Sequence, residues 1–344
     1  MKQYGLISIA LSILTLTSCE SYFDLEGLDP EEKLVIYCMP AAGCDTTVIQ
    51  LSKTVPVTAA GVPPQGIADA YVDFTVNGEK QTVRWAEEAV GMVPEQSYYV
   101  VKSLKTGDRI GITAEVPGLT PVTSASTVPE KFPLVGVTLG RTVNEWGDML
   151  QFRVTFRDDA STDDYYGIRV IEKESYYFGL YNPEDDKWSY SERSEVNLES
   201  LDVSGEPLLN NKVGLDATFD FDYNYSGNLF IWSDEKVSGQ EYTLRVNTPY
   251  RSDSYSDSDL SFSKTLFTYK VYLYRLSPEL YAYLKSVNDI ENNELGKGGL
   301  APIRSHYSNI ENGFGFLGAC NLCETEWLEN ENTVKRMFNN PAER

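Results

Sequence analysis

Five cysteines, a single histidine and several runs of carboxylates are the side chains of this 344-residue chain whose types and spacing bear on chemistry. Because His306 is the only histidine, a zinc-protease helix, a two-histidine metal site and any histidine cluster are excluded. A Ser-His-Asp hydrolase would have to use His306, yet no Gly-x-Ser-x-Gly elbow accompanies it. Ser261 and Lys264 have Ser-x-x-Lys spacing without either companion motif of the penicillin-binding enzymes, so the match reads as chance. Cys320-Asn321-Leu322-Cys323 has redox spacing, but the β-α-β context of a thioredoxin is missing and a structural bridge is preferred.

Carboxylates gather in four places: Asp158, Asp159, Asp163 and Asp164; Glu184, Asp185 and Asp186; Asp216, Asp220 and Asp222; Asp253, Asp257 and Asp259. None follows the calcium loop of an EF-hand with its glycine and closing glutamate, and they read as solvated loop charges. A pair of carboxylates is also what glycoside hydrolysis needs, although sequence sets no separation between them. Tyr176, Tyr177, Phe178, Tyr181, Trp188 and Tyr190 crowd one stretch, with Tyr223 and Tyr225 further on. Such rings suit a recognition face for a protein, a peptide or a sugar, and they equally suit half-buried strand positions. The expectation is no catalytic residue, no metal and no cofactor, with the ligand-binding residues left unassigned.

The first segment fixes where these groups would work. Lys2 precedes an apolar run from Leu6 to Leu16, and Thr17 and Ser18 lead into Cys19. This is the pattern of a secretory signal, and the run is too short to span a bilayer as a helix. Leu16-Thr17-Ser18-Cys19 resembles the lipobox of bacterial lipoprotein precursors, which implies removal of residues 1–18 and lipidation of Cys19. Residues 19–32 then read as lipid anchor and tether.

A net charge of −22 argues against nucleic acid as a partner, because phosphate binding needs a basic footprint. Anionic headgroups would repel the body as well, so attachment to a membrane is expected through acyl chains. With Cys19 committed to lipid, Cys38, Cys44, Cys320 and Cys323 form an even set suited to an oxidising compartment. They are disulfide candidates. The local pairing, Cys38 with Cys44 and Cys320 with Cys323, closes the smallest loops, and the other pairings would tie the N-terminal part to the C-terminal tail. A four-thiol zinc site is disfavoured by the export setting and the wide spacing of the first pair.

The elements that must hold these residues are mostly strands. Tyr71 to Val76 alternates, Asn77-Gly78 offers a two-residue hairpin turn, and Gln81 to Trp85 reads as the return strand. Ile110, Ile112, Ala114 and Val116 share a face, as do Leu150, Phe152, Val154 and Phe156. Tyr166, Ile168 and Val170, then Tyr242, Leu244 and Val246, then Phe267, Tyr269, Val271 and Leu273 repeat the pattern. One helix is expected over 277–287, with Ser277 as cap, Pro278 at the first position and Glu279 at the positive dipole end. The fold class is therefore mainly β: an N-terminal sandwich over 33–130, resembling immunoglobulin-like modules, then a second β-rich domain over 131–323 and a polar tail over 324–344.

The stretch Leu276 to Ser286, followed by His306 to Gly318, resembles a family of Bacteroidota outer-membrane lipoproteins catalogued only as a domain of unknown function. Lys33 to Ile36, Leu51 to Thr54, Val128 to Glu130, Asp164 to Tyr166 and Gly239 to Tyr242 extend the resemblance over nearly the whole mature chain. Genes of this family commonly stand beside one for a TonB-dependent receptor. The resemblance implies a surface-facing outer-membrane lipoprotein, a non-enzymatic binding or accessory subunit of a TonB-dependent nutrient uptake system. Its partner would be that receptor, and its small-molecule or peptide ligand is unspecified. A surface hydrolase using a carboxylate pair and a structural adhesion module are the alternatives. Within the motif, Phe314, Phe316 and Leu317 read as alternating anchors of a strand that closes the second domain.

Overall fold

A computed structural model describes residues 31–55, 64–209, 229–291 and 305–329. Cys19, the tether to residue 30, Asp216, Asp220, Asp222, Tyr223, Tyr225 and the tail beyond residue 329 lie outside the described residues. Twenty strands are described, with one α-helix and a three-residue 3-10 turn, so the chain is mainly β.

The first nine strands are β1 (Leu34–Cys38), β2 (Ala41–Ala42), β3 (Thr46–Lys53), β4 (Tyr71–Val76), β5 (Glu79–Lys80), β6 (Val83–Ala86), β7 (Ser97–Val101), β8 (Arg109–Glu115) and β9 (Val122–Thr127). Asn77 and Gly78 turn at φ 54° and 83°, the left-handed pair that a two-residue hairpin requires. The return strand is shorter than expected. Glu79 and Lys80 pair back onto β4, Gln81 N–H adds one bond to the Phe74 carbonyl at 2.8 Å, and β6 (Val83–Ala86) joins β7 in the opposite sheet. The sheets β5-β4-β8-β9 and β1-β3-β7-β6 close over one core, in which Leu34, Ile36, Phe74, Ile110, Ile112 and Ala114 are at most 1% exposed.

The remaining strands are β10 (Leu134–Asn144), β11 (Gly147–Arg157), β12 (Tyr165–Asn182), β13 (Lys187–Leu198), β14 (Phe230–Ser233), β15 (Glu241–Pro249), β16 (Ser254–Asp257), β17 (Ser261–Leu276), β18 (Phe314–Leu317), β19 (Cys320–Glu324) and β20 (Leu328–Glu329). Between β17 and β18 lies α1 (Pro278–Glu291). Ser277 caps it as its type predicts, Oγ accepting the Leu280 N–H at 3.3 Å. Sheet β10-β11-β15 faces sheet β13-β12-β17-β19-β2 across a second core. There the alternating sets of β11, β12 and β17 meet: Phe152, Val154, Phe156, Tyr166, Ile168, Val170, Tyr269, Val271 and Leu273 are all fully buried.

The family motif corrects one expectation. β18 pairs in parallel with β1, Val35 opposite Phe314 through Cys38 opposite Leu317, so it closes the N-terminal sheet instead of the second domain. Phe314 is exposed, while Phe316 faces the second core and Leu317 the first. Alternation along one strand thus serves both cores. Gly315 makes the close approach possible, because a Cβ there would lie 1.9 Å from the Ile36 carbonyl oxygen. Asn309 braces the same strand with two bonds to the Leu317 backbone, at 2.8 and 3.1 Å.

Candidate functional site: an aromatic sheet face outside both cores

β12 and β13 pair over twelve positions, Ile171 opposite Leu198 to Asn182 opposite Lys187, and β12 pairs with β17 from Tyr165 to Leu180. Past Glu174 the ribbon of β13, β12 and β17, with β16 paired along the other edge of β17 from Thr265 to Phe262, carries no residue of the second core. Every residue of β13 is exposed except Trp188, which is half-buried. Among the described residues, no strand pairs with the other edge of β13.

Register gathers the rings. Tyr181 stands opposite Trp188, and Gly179 stands between Tyr190 on one neighbour and Phe262 on the other, so all five positions share a face. Ring centroids lie 5.5 Å apart for Tyr181 and Trp188, 6.4 Å for Trp188 and Tyr190, 5.8 Å for Trp188 and Phe262, and 6.1 Å for Tyr190 and Phe262. Alternation divides the stretch singled out in the sequence: Tyr177 joins this face, and Tyr176 and Phe178 point to the other. Phe262, eighty positions on in sequence, carries no local signal of its membership. The cluster is chemically simple: flat apolar surface, with a rim made by the Tyr181 hydroxyl donating to Asp186 at 2.6 Å. Asp186, with Asn182 and Asp185, shapes the tip, where Asn182 donates to Asp185 and accepts from the Glu184 N–H. The Glu184–Asp186 run is thus a turn.

The Asp158–Asp164 run is split. Asp159 and Asp163 are exposed, while Asp158 and Asp164 are buried and meet Asp234, which sequence reading missed. One oxygen from each lies within 4.8 Å of the others, a geometry that can hold a cation. Each carboxylate is already engaged. Asp158 accepts from the Tyr166 hydroxyl at 2.6 Å and the Gly239 N–H at 2.9 Å. Asp164 accepts from Arg275 Nε at 3.0 Å and from Thr162, and Asp234 accepts the Asp164 N–H at 3.0 Å. Burial, then the neighbouring Asp158 and Asp164, push the Asp234 carboxyl above its ordinary range. These contacts tie the β11–β12 loop to the β14–β15 connection and to the end of β17.

A second buried carboxylate pair also escaped sequence reading. Glu172, fully buried, meets Arg251 Nη1 at 3.0 Å, and Glu199 accepts a short hydrogen bond from Thr248. Burial first and Glu199 second raise the Glu172 carboxyl above its ordinary value. Both carboxylates are buried and neighbour Tyr269 of the second core, unlike the open cleft of a glycosidase.

The other candidates are dispersed. His306 is exposed and stacks on Tyr283 at 6.4 Å. Ser261 and Lys264, three apart on β17, point to opposite faces. Asp253 accepts the Phe267 N–H at 2.9 Å. Cys38, Cys44, Cys320 and Cys323 are free thiols, and of the pairings left open by sequence the local one does not fit. Cys320 and Cys323 belong to one extended strand, where three residues span roughly 10 Å, beyond the reach of a disulfide. Cys38 is buried in the N-terminal core and Cys44 is exposed.

Fold and site define a mainly β protein with two sandwich cores, a shared closing strand and a projecting aromatic ribbon. The chain belongs to the family described as a domain of unknown function, DUF4249, whose model matches residues 20–326. No curated protein matches the chain.

Proposed function

We propose that this protein is a non-enzymatic binding subunit, held on the outer face of a bacterial outer membrane by acyl chains on Cys19, that serves a TonB-dependent nutrient receptor. The observation that carries the reading is the ring face of Tyr181, Trp188, Tyr190 and Phe262, set on a ribbon outside both cores. Rigid amphipathic rings bury large area at small entropy cost, which is what a recognition face needs. The signal-like start with Cys19 supports the anchor, and the likeness of the C-terminal motif to Bacteroidota lipoproteins supports the receptor as partner. Among the described residues no helix is long and apolar enough to cross a membrane, so in this reading the lipid alone holds the chain.

The test is co-purification of the tagged chain from envelopes extracted in mild detergent. A β-barrel receptor should accompany the unaltered chain and fall at least tenfold with Trp188→Ala/Tyr190→Ala. Recovery without any receptor under several growth conditions would overturn the reading, as would envelope retention of Cys19→Ala equal to that of the parent.

A further inference from the structure

We propose that Cys44 and Cys320 form a disulfide, a covalent clasp between the turn after β2 and the closing strand β19. The inference stands apart from the receptor reading, since it rests on the seam between the two cores. β2 and β19 run parallel, with Ala41 opposite Cys320 and Ala42 opposite Asn321. If the chain continued straight, Cys44 would advance toward Cys323. Instead it turns at Gly43, φ +91°, and the Cys44 N–H donates back to the Ala41 carbonyl at 3.3 Å. A turn closed this way holds its outer α-carbons within about 7 Å, and paired strands lie about 4.8 Å apart. The turn therefore draws Cys44 back toward Ala41, the residue that faces Cys320, instead of letting it run on to Cys323. The turn also packs on β19, a Cβ on Gly43 meeting the Leu322 carbonyl oxygen at 3.9 Å.

The faces agree. Cys320 stands opposite Leu276 and Leu322 opposite Tyr274, so these four share one side of the sheet, while Cys323, opposite Leu273, is on the other. After burial, Cys44 adds to the upward push on both Cys320 and Tyr274, two groups of this side. Cys38 points into the N-terminal core.

Exposure orders the chemistry. Cys44 is exposed, whereas Cys320 is 1% exposed and its thiol is pushed up to about 12 by burial, so Cys44 meets an oxidant first. The oxidant is a small-molecule or protein disulfide. The Cys44 thiolate attacks one of its sulfurs, that S–S bond breaks, and one thiolate leaves. Cys320 then gives up its proton and attacks Cys44 Sγ, expelling the oxidant's second half as a thiolate. Two protein thiols lose two protons and two electrons, and the oxidant's disulfide becomes two thiols. The clasp closes a loop spanning most of the described chain, the kind that restricts an unfolded ensemble most.

To test this, the purified chain is equilibrated with oxidised glutathione, remaining thiols are alkylated, and a digest made without reductant is mapped by mass spectrometry. A linked peptide pair carrying Cys44 and Cys320, lighter by two hydrogens than its parts, is expected. Cys323→Ser should keep it and Cys44→Ser should abolish it, along with a rise in Tm on the order of several degrees for the oxidised chain. A link through Cys38, Cys323 or Cys19 would overturn the proposal. So would a lasting glutathione adduct on Cys44 beside an alkylated Cys320, or both thiols alkylated after equilibration. The map of the unsubstituted chain decides the matter even if a variant folds poorly.

Discussion

Ser126 Oγ lies 3.2 Å from Ser277 Oγ, so a strand residue of the N-terminal core meets the helix cap of the second core across 151 positions of sequence. The same hydroxyl lies 3.0 Å from Glu279 Oε2 and accepts the Ala319 N–H at 3.2 Å. Ser126→Ala leaves that buried N–H without its partner, at a cost of ~1–3 kcal/mol. Ser277→Ala removes the cap, at ~1 kcal/mol. Since the two hydroxyls are in contact, the double variant should lose less than the sum. Urea unfolding of the three variants measures this, and strict additivity would show that the contact contributes nothing.

Arg275 is the cation packed against the Asp158, Asp164 and Asp234 cluster, and its side chain and that of Asp164 are 11% and 7% exposed. Removing one partner of such a pair leaves a buried charge uncompensated. Arg275→Met is therefore expected to cost ~3–5 kcal/mol in urea unfolding at neutral pH. Arg275→Lys keeps the charge and loses the two-pronged contact through Nε and Nη2, so its loss should be smaller. Equal losses would mean that geometry, not charge, is what the cluster requires.

Glu172 gives a pH dependence with a definite sign. Its folded-state value is raised above the ordinary 4.5, chiefly by burial and next by Glu199. Between the ordinary and the raised value the folded chain binds more protons than the unfolded one, so this residue's contribution falls as pH rises through that window. Glu172→Gln removes the titration. Relative to the parent, its Tm should be higher above the window, and the difference should shrink as pH falls through the window and level off below 4.5. A difference constant with pH would mean that the carboxyl titrates alike in the folded and the unfolded chain.

What sequence could reveal and what it could not divides along a physical line. Alternation placed Phe152, Ile168 and Leu273 in a core, and Asn77-Gly78 and Ser277-Pro278 marked a turn and a helix start, because each is decided within a few residues. Pairing partners are not. Gln81 to Trp85 looks like the return arm of a hairpin, yet from Val83 the chain crosses to β7. Phe314 to Leu317 follows the second core in sequence and pairs with the first sheet. Asp234 reaches Asp164 from seventy positions away, and Phe262 reaches Gly179 only through the β12–β17 register. The aromatic stretch was visible as composition, while its division into two faces needed the register.

Gly179 offers a direct test of the ring face. A Cβ there would lie 2.2 Å from Phe262 Cε1, so the Phe262 ring rests on the bare backbone of the central strand. Phe262 is half-buried and one residue from the start of β17, so it can swing outward. Gly179→Ala should therefore cost ~1 kcal/mol or less in stability, at the low end for added core volume. The effect should fall on the cluster instead, since Trp188 loses the neighbour 5.8 Å away that seats it. Trp188 emission, taken as the difference from a Trp188→Phe chain, should shift to the red as water reaches the indole. Receptor recovery in mild detergent should fall with it. An unshifted emission would show that Phe262 does not need the bare backbone at Gly179 to seat Trp188, whereas a shifted emission with full recovery would place the receptor contact elsewhere on the chain.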